Sequence, residues 1–374
     1  MSALTEKPFI KGMDLSTLAE VEECGGRFSY QGEAGDAMEI LRRCGMNLVR
    51  LRLWNDPRSE TGEPYGAGNN DLERTIALAR RAKALGVDWL LDFHYSDFWA
   101  DPGKQITPKA WQGLDASALE QAVFAYTRSV LLRLKEEDLL PAMTAVGNEI
   151  TNGLLWPLGK APNFENIARF VSAGIRAVHS VDAAQPIMLH LDNGTNDELY
   201  RGWFDAYFEA GGEDFDCVGM SYYPFWNGGV GELGRNMAEV SRRLGKDVII
   251  AETSMGFTTD DYRDYEQLPP DRRKGMAATA ELAAKVPYPM TPQGQCAFLT
   301  DLAEAIRQVP DGRGRGFIWW EPAWIPVPGS GWAGEAALRY IGEKGPGGNE
   351  WANQALFNYQ GRALPALDTM KGLR

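Results

Sequence analysis

Eight short apolar runs recur along the chain, most of them separated by helical patterns, and no other feature limits the fold as strongly. The runs lie at about 9–14, 47–54, 87–95, 141–148, 186–192, 215–223, 246–252 and 315–321. Most are nearly continuous in Val, Ile, Leu, Phe and Trp. Strands read this way when a parallel sheet is covered on both faces. Helices fill the gaps, and DLERTIALARRAKALG is the clearest. Asp71 caps it, Leu72, Ile76, Ala79 and Leu85 share one face, and Gly86 ends it before the next strand. DASALEQAVFAYTRSVLLRLKEE repeats the pattern, and Thr291 with Pro292 opens another helix. Further helices are expected near 34–44, 164–180, 231–244 and 364–372.

Eight alternations in 374 residues predict an α/β fold, a (β/α)8 TIM barrel, as a single domain over 1–374. A doubly wound open sheet is the runner-up. It is weakened because no glycine-rich dinucleotide fingerprint follows the first strand. The long mixed segment at about 255–291 reads as an elaborated loop after strand seven.

Charge narrows the partners. The chain has 38 Lys and Arg against 51 Asp and Glu, a formal charge of −13. Such a surface repels nucleic acid, anionic lipid and acidic polymers. A neutral substrate fits better. Cys24, Cys44, Cys217 and Cys296 have no metal-ligand spacing and are expected as buried thiols. MSALTEKPFI lacks the apolar core of a signal peptide, and no stretch is long enough to span a membrane. Several of the 12 tryptophans (Trp99, Trp111, Trp156, Trp226, Trp324 and Trp332) lie near Gly, Pro and Asn. Loop indoles suit the stacking of a sugar's apolar face.

In such a barrel the chemistry lies at the C-terminal strand ends. Those ends carry Asp14, then Arg50 and Arg52, then His94 and Asp97, then Asn148 and Glu149. They continue with His190, Asp192 and Asn193, then Tyr222 and Tyr223, then Glu252, then Trp320 and Glu321. Solubility alone would be served by Ser, Lys or Gly; these residues transfer protons and bind sugars. Glu149 and Glu252 end strands four and seven, on opposite sides of the barrel mouth. Paired carboxyls flanking a linkage at about 5–5.5 Å perform retaining glycoside hydrolysis, one as acid and base, the other as nucleophile. The bland alternatives are a loop acid or helix cap for Glu149, and for Glu252 a helix-dipole partner or salt bridge to the arginines of strand two.

The chain resembles the family-53 glycoside hydrolases, the endo-β-1,4-galactanases. The resemblance runs from about Phe9 to Leu367. It is carried by KGMDLS, NLVRLRLWNDP, LDFHYSDFWADP, VGNEITNGLLWPLG, IMLHLDNG, GMSYYPFW, AETS, WWEPAWIP and NQALF. It implies Glu149 as acid/base, Glu252 as nucleophile and Asn148 on the sugar's 2-hydroxyl. Arg50 or Arg52 would steady Glu252, and Tyr223, or Tyr222 in its place, would donate to it. Arginine is expected to lower the pKa of Glu252, while a drier, acid-crowded setting raises that of Glu149. Trp320 would floor the reacting sugar, and His94, Asp97, His190, Asp192 and Trp324 would line the cleft. No metal or cofactor is required.

Two departures from the family stand out. Some bacterial relatives carry an acidic, glycine- and asparagine-rich calcium-binding stretch after strand seven, whereas this loop reads TTDDYRDYEQLPPDRRKG. Asp260, Asp261, Asp264 and Glu266 lack the spacing of a calcium loop, and a solvated loop is expected. NGGVGELG after strand six is short and glycine-rich, so product size does not transfer. The implied partner is β-1,4-galactan or its oligosaccharides, bound by a monomer. It would act outside the cell if a leader has been removed, or in the cytoplasm on imported oligosaccharides. Competing readings are a retaining hydrolase of mannan, glucan or xylan, a non-catalytic glycan-binding barrel, and a metal-dependent hydrolase using His94 and His190. The last is disfavoured because no closely spaced His pair exists.

Overall fold

The computed structural model describes residues 8–260, 262, 280–344 and 347–373. Much of the segment read as an elaborated loop, with Asp261, Asp264 and Glu266, lies outside the described residues. All eight expected strands form: β1 (Ile10–Asp14), β2 (Leu48–Leu53), β3 (Asp88–Phe93), β4 (Met143–Val146), β5 (Ile187–Leu191), β6 (Cys217–Tyr222), β7 (Asp247–Thr253) and β8 (Gly314–Trp319). Each pairs in parallel with its sequence neighbour and β8 returns to β1, closing the barrel. The open-sheet alternative is thereby excluded.

The expected helices are present. Asp71 accepts from the Arg74 N–H to cap Leu72–Ala84, and Thr291 accepts from the Gly294 N–H to cap Pro292–Arg307. Elements not anticipated include the helices Leu18–Glu23, Asp197–Glu209 and Glu335–Ile341, and a small hairpin of Phe28–Tyr30 with Glu33–Gly35. Cys44 and Cys217 are buried as expected, but Cys24 and Cys296 are only half-buried.

Two cores lie on either side of the strands. Between strands and helices runs the larger one, with Met13, Val49, Leu51, Phe93, Val146, Leu189, Val218 and Phe317. Inside the barrel sits a smaller plug of Leu48, Leu90, Ala145, Met188, Cys217, Ile249, Ala251 and Ile318. Pleating sends alternate residues to opposite faces. Leu48 therefore faces inward at the bottom of β2, with Arg50 and Arg52 above it. Asp92 and His94 stand above Leu90, and His190 and Asp192 above Met188. The interior thus changes with height from apolar to charged. The charged layer supports the cleft.

Close approach between strands fixes one glycine. Gly316 has φ +140°, and a Cβ there would lie 2.1 Å from the Ile10 carbonyl oxygen. It also marks a register shift between β8 and β7. Gly316→Ala is expected to lower stability by roughly 2–4 kcal/mol. A denaturant melt with an unchanged midpoint would contradict this.

Candidate active site

Above the charged layer the strand ends enclose a cleft of about 660 Å³. Its polar lining includes Glu149, Glu252, Asn148, Arg52, His94, Asp192, Asn193, Ser221 and Tyr223, with Asp101, Lys104, Asn227, Glu343 and Glu350 around them. Six indoles also line it: Trp99, Trp226, Trp320, Trp324, Trp332 and Trp351. Trp320 packs edge-on against Trp351, with centroids 4.8 Å apart, while Trp226 at the rim is 54% exposed. Of the loop indoles singled out from sequence, Trp111 packs behind on Tyr126 and Trp156 lies beneath Lys160.

The two glutamates reach the cleft by different backbone devices. After β4 the chain passes Gly147 at φ +88°, and Glu149 itself adopts φ 45°, ψ 51°. A non-glycine residue in the left-handed region is strained. Tyr95, Asn193 and Glu321, at the ends of β3, β5 and β8, share that conformation. In β7, Ile249 and Ala251 both belong to the inner plug, so strict alternation would aim Glu252 at the helices. A register shift between Met220 and Ser221 in the β6–β7 pairing sets Glu252 opposite Ser221 instead. Such an irregularity re-aims the side chains that follow it.

Arg50 is the hub beneath. Its Nη1 bonds Asp14 at 2.6 Å, and its Nη2 reaches Asp92 at 2.7 Å, Asn148 Oδ1 at 2.6 Å and Glu252 Oε1 at 2.8 Å. Tyr223 donates to Glu252 Oε2 at 3.0 Å. Of the two arginines it is Arg50 that touches Glu252, and of the two tyrosines it is Tyr223, the one given first. Arg52 lies one level higher. It bonds Glu321 at 2.5 Å, and its guanidinium sits 4.3 Å over the Trp99 ring.

Five residues expected to contact substrate are absent from the lining. Asp14 and Arg50 form the ion cluster one layer down. His190 is buried between Asn148 and Ser221, at 2.9 Å from each. Asp97 is buried and accepts from the N–H groups of Asp56 and Lys109, fastening a loop. Tyr222 faces the helix layer against Phe298 and donates to the Gly228 carbonyl. Glu321, Asp92, Ser221 and Trp351 were missing from the expected contact set. A signal existed for Glu321 at a strand end and for Asp92 at pleat spacing below His94, but none for Ser221 or Trp351.

Electrostatics separate the two glutamates. Burial, then the charges of Glu252 and Asp192, push Glu149 well above the usual carboxylate range. Burial also lifts Glu252 to about 7, with Arg50 and the Tyr223 hydrogen bond pulling against it. The expectation that arginine would leave Glu252 with a lowered pKa is corrected: Arg50 acts in that direction, but burial outweighs it. Glu252 remains the readier of the two to ionise. Burial lifts Glu321 to about 8, whereas Arg50 holds Asp92 down at about 2 against its own burial. Burial and Arg50 lower His190 to about 3, so its ring is neutral. Among the described residues no group of three or more His, Cys, Asp or Glu is arranged to hold a metal ion.

A carboxyl raised in the folded state destabilises the fold once the unfolded chain can ionise. For Glu149 that window opens near the ordinary value of 4.5 and extends upward. Glu149→Gln should therefore be more stable than wild type at pH 8 by about 1–2 kcal/mol, with the difference vanishing near pH 4. Equal gaps at both pH values in thermal melts would contradict the burial of this charge.

Residues 10–370 match the model of Glycosyl hydrolase family 53. The chain is 35% identical over 384 residues to the "Endo-beta-1,4-galactanase" of Bacillus subtilis (strain 168), covering 98% of this chain and 86% of that one. It is 35% identical over 323 residues to the "Arabinogalactan endo-beta-1,4-galactanase" of Humicola insolens, covering 84% and 90%. The solved "Ignisphaera aggregans GH53 catalytic domain" superposes with a TM-score of 0.87 at 38% identity, covering 97% of this chain and 95% of that one. Barrel, paired strand-end glutamates and sequence agree: the chain belongs to glycosyl hydrolase family 53.

Proposed function

We propose that this protein hydrolyses internal β-1,4-galactosidic bonds of galactan by a retaining double displacement, with Glu149 as acid/base and Glu252 as nucleophile. One observation carries the assignment of roles. Two carboxyls from β4 and β7 line one cleft with unequal surroundings: Glu252 on an arginine and a tyrosine hydroxyl, Glu149 on a serine with carboxylates around it. Glu252 ionises first and attacks the anomeric carbon. Glu149 keeps its proton and delivers it to the departing oxygen. Once Glu252 is esterified its charge is gone, and Glu149, now a carboxylate, draws a proton from the incoming water. Asn148 uses one amide hydrogen on the Ala100 carbonyl. The second is left for the sugar's 2-hydroxyl.

The lining also suits a neutral polymer. Asp101, Asp192, Glu343 and Glu350 face Lys104 around the cleft, a predominantly acidic ring that disfavours uronates. The relatives named as galactanases support galactan over mannan, glucan or xylan. Both glutamates are in place, which disfavours a purely binding role. Action on the polymer favours work outside the cell if a leader has been removed, with imported oligosaccharides in the cytoplasm as the alternative. The reading needs no cofactor: protons and the ester intermediate are handled by carboxyl groups.

Product analysis on β-1,4-galactan tests it. Wild type should release oligosaccharides, while Glu149→Gln and Glu252→Gln should each lose at least about 10³-fold in kcat. Either variant retaining activity overturns the roles. Wild-type activity should be bell-shaped in pH, its acid limb set by Glu252 and its alkaline limb by Glu149; a flat profile across about pH 5 to 9 would contradict this. Exhaustive chelation should leave turnover unchanged, and a loss reversed by added calcium would assign a structural ion.

A further inference from the structure

Hydrogen bonds around His190 can be counted donor by donor, and the count constrains Glu149. Asn148 Nδ2 donates to the Ala100 carbonyl at 2.9 Å, and Asn148 Oδ1 accepts from Arg50 at 2.6 Å. Arginine can only donate and a carbonyl can only accept, so the amide's orientation is fixed. His190 Nδ1, 2.9 Å from that same Oδ1, must then carry a hydrogen. In a neutral ring the other nitrogen, Nε2, is bare and needs a donor. Ser221 Oγ lies 2.9 Å away, so its single hydrogen points there. Yet Ser221 Oγ also lies 2.6 Å from Glu149 Oε1. With its hydrogen spent on His190, Ser221 presents a lone pair to that oxygen. The contact is a hydrogen bond only if Glu149 supplies the proton.

We propose that His190 and Ser221 are positioning residues, a relay that keeps the proton on Glu149 in the free enzyme. The proposal rests on the acid/base assignment of Glu149. Ionising Glu149 costs one hydrogen bond whichever way the hydroxyl turns. If it stays on His190, two oxygen lone pairs meet; if it swings to Glu149, Nε2 loses its donor. The one arrangement that satisfies every atom with Glu149 ionised places a second proton on His190. Burial, Arg50 and His94 oppose that charge, against the pull of Asp92. Facing Glu149 are Glu252, Asp192 and Asp101, together with the phenols of Tyr223 and Tyr200. The carboxylates oppose its ionisation as well, so the relay acts with the field.

The relay turns over with the reaction. An arriving glycosidic oxygen takes the O–H of Glu149 from Ser221, and the proton leaves with the departing sugar. Glu149 is then a carboxylate, and the Ser221 hydroxyl rotates from Nε2 to Oε1. When Glu149 takes a proton from the attacking water, the hydroxyl rotates back. No proton is gained or lost by His190.

The sign of one shift tests the proposal. A hydroxyl that merely donates to a carboxylate favours the ionised form, so its removal would move the alkaline limb of kcat/KM up. A hydroxyl that accepts from the acid favours the neutral form. Ser221→Ala should therefore move that limb down by about half to one pH unit, while Ser221→Thr should leave it in place. Carbon-13 NMR titration of glutamate carboxyls, with Glu149→Gln to assign the resonance, should give the same shift without turnover. A limb and a resonance that move up in Ser221→Ala, or stay, overturn the relay. Activity retained by Glu149→Gln overturns instead the assignment on which it rests.

Discussion

A single guanidinium, that of Arg50, ties together the parts of this site that the chain brings in from far apart. It bonds Asp14 on β1, Asp92 on β3, Asn148 just after β4 and Glu252 on β7. Burying so much charge is unfavourable unless every partner is present, and removing one partner of a buried ion pair costs about 3–5 kcal/mol. The cluster is therefore all-or-none. It fixes the height and rotation of Glu252 and the direction of the Asn148 amide, and through Asn148 the protonated nitrogen of His190. Geometry at the cleft is inherited from the layer below.

Carboxyl groups outnumber cations in and just above that layer. Arg50 and Arg52 pair with Asp14, Asp92, Glu252 and Glu321, and Glu149 adds a fifth acid beside them, with His190 neutral. Some of these acids must hold protons. The lifted ones, Glu149, Glu252 and Glu321, are candidates, whereas Asp92 is kept ionised by Arg50. On the proposed roles, this surplus would separate two chemically identical side chains into an acid and a nucleophile. Strand-end backbones held in the left-handed region at Tyr95, Glu149, Asn193 and Glu321 show where the fold accepts strain to hold side chains around the mouth.

The barrel was legible because strand and helix differ in hydrophobic period, and each of the eight apolar runs became a strand. The helix Asp197–Glu209 escaped because its buried residues are mostly aromatic, Tyr200, Trp203, Phe204 and Tyr207, and give no aliphatic stripe. At the site, Glu149 and Glu252 were legible from their places at strand ends. The depth of a side chain was not. Asp14, Arg50 and His190 look like ligand contacts in sequence but lie one pleat below the surface. Tyr223 was the first choice over Tyr222 for the contact to Glu252, and it is the one that faces inward at the end of β6. Ser221 carried no signal, since a serine among apolar residues is unremarkable until its two neighbours are known.

The shifted register of β7 has a consequence for how such a site can be lost. The aim of Glu252 depends on a count of residues, because Ala251 before it already points into the barrel. Adding one residue between Ala251 and Glu252 would swing the carboxylate into the helix layer while every functional side chain survived. An inventory of residues would score such a chain as intact. Spacing within the strand is therefore as much a part of this site as the glutamate itself.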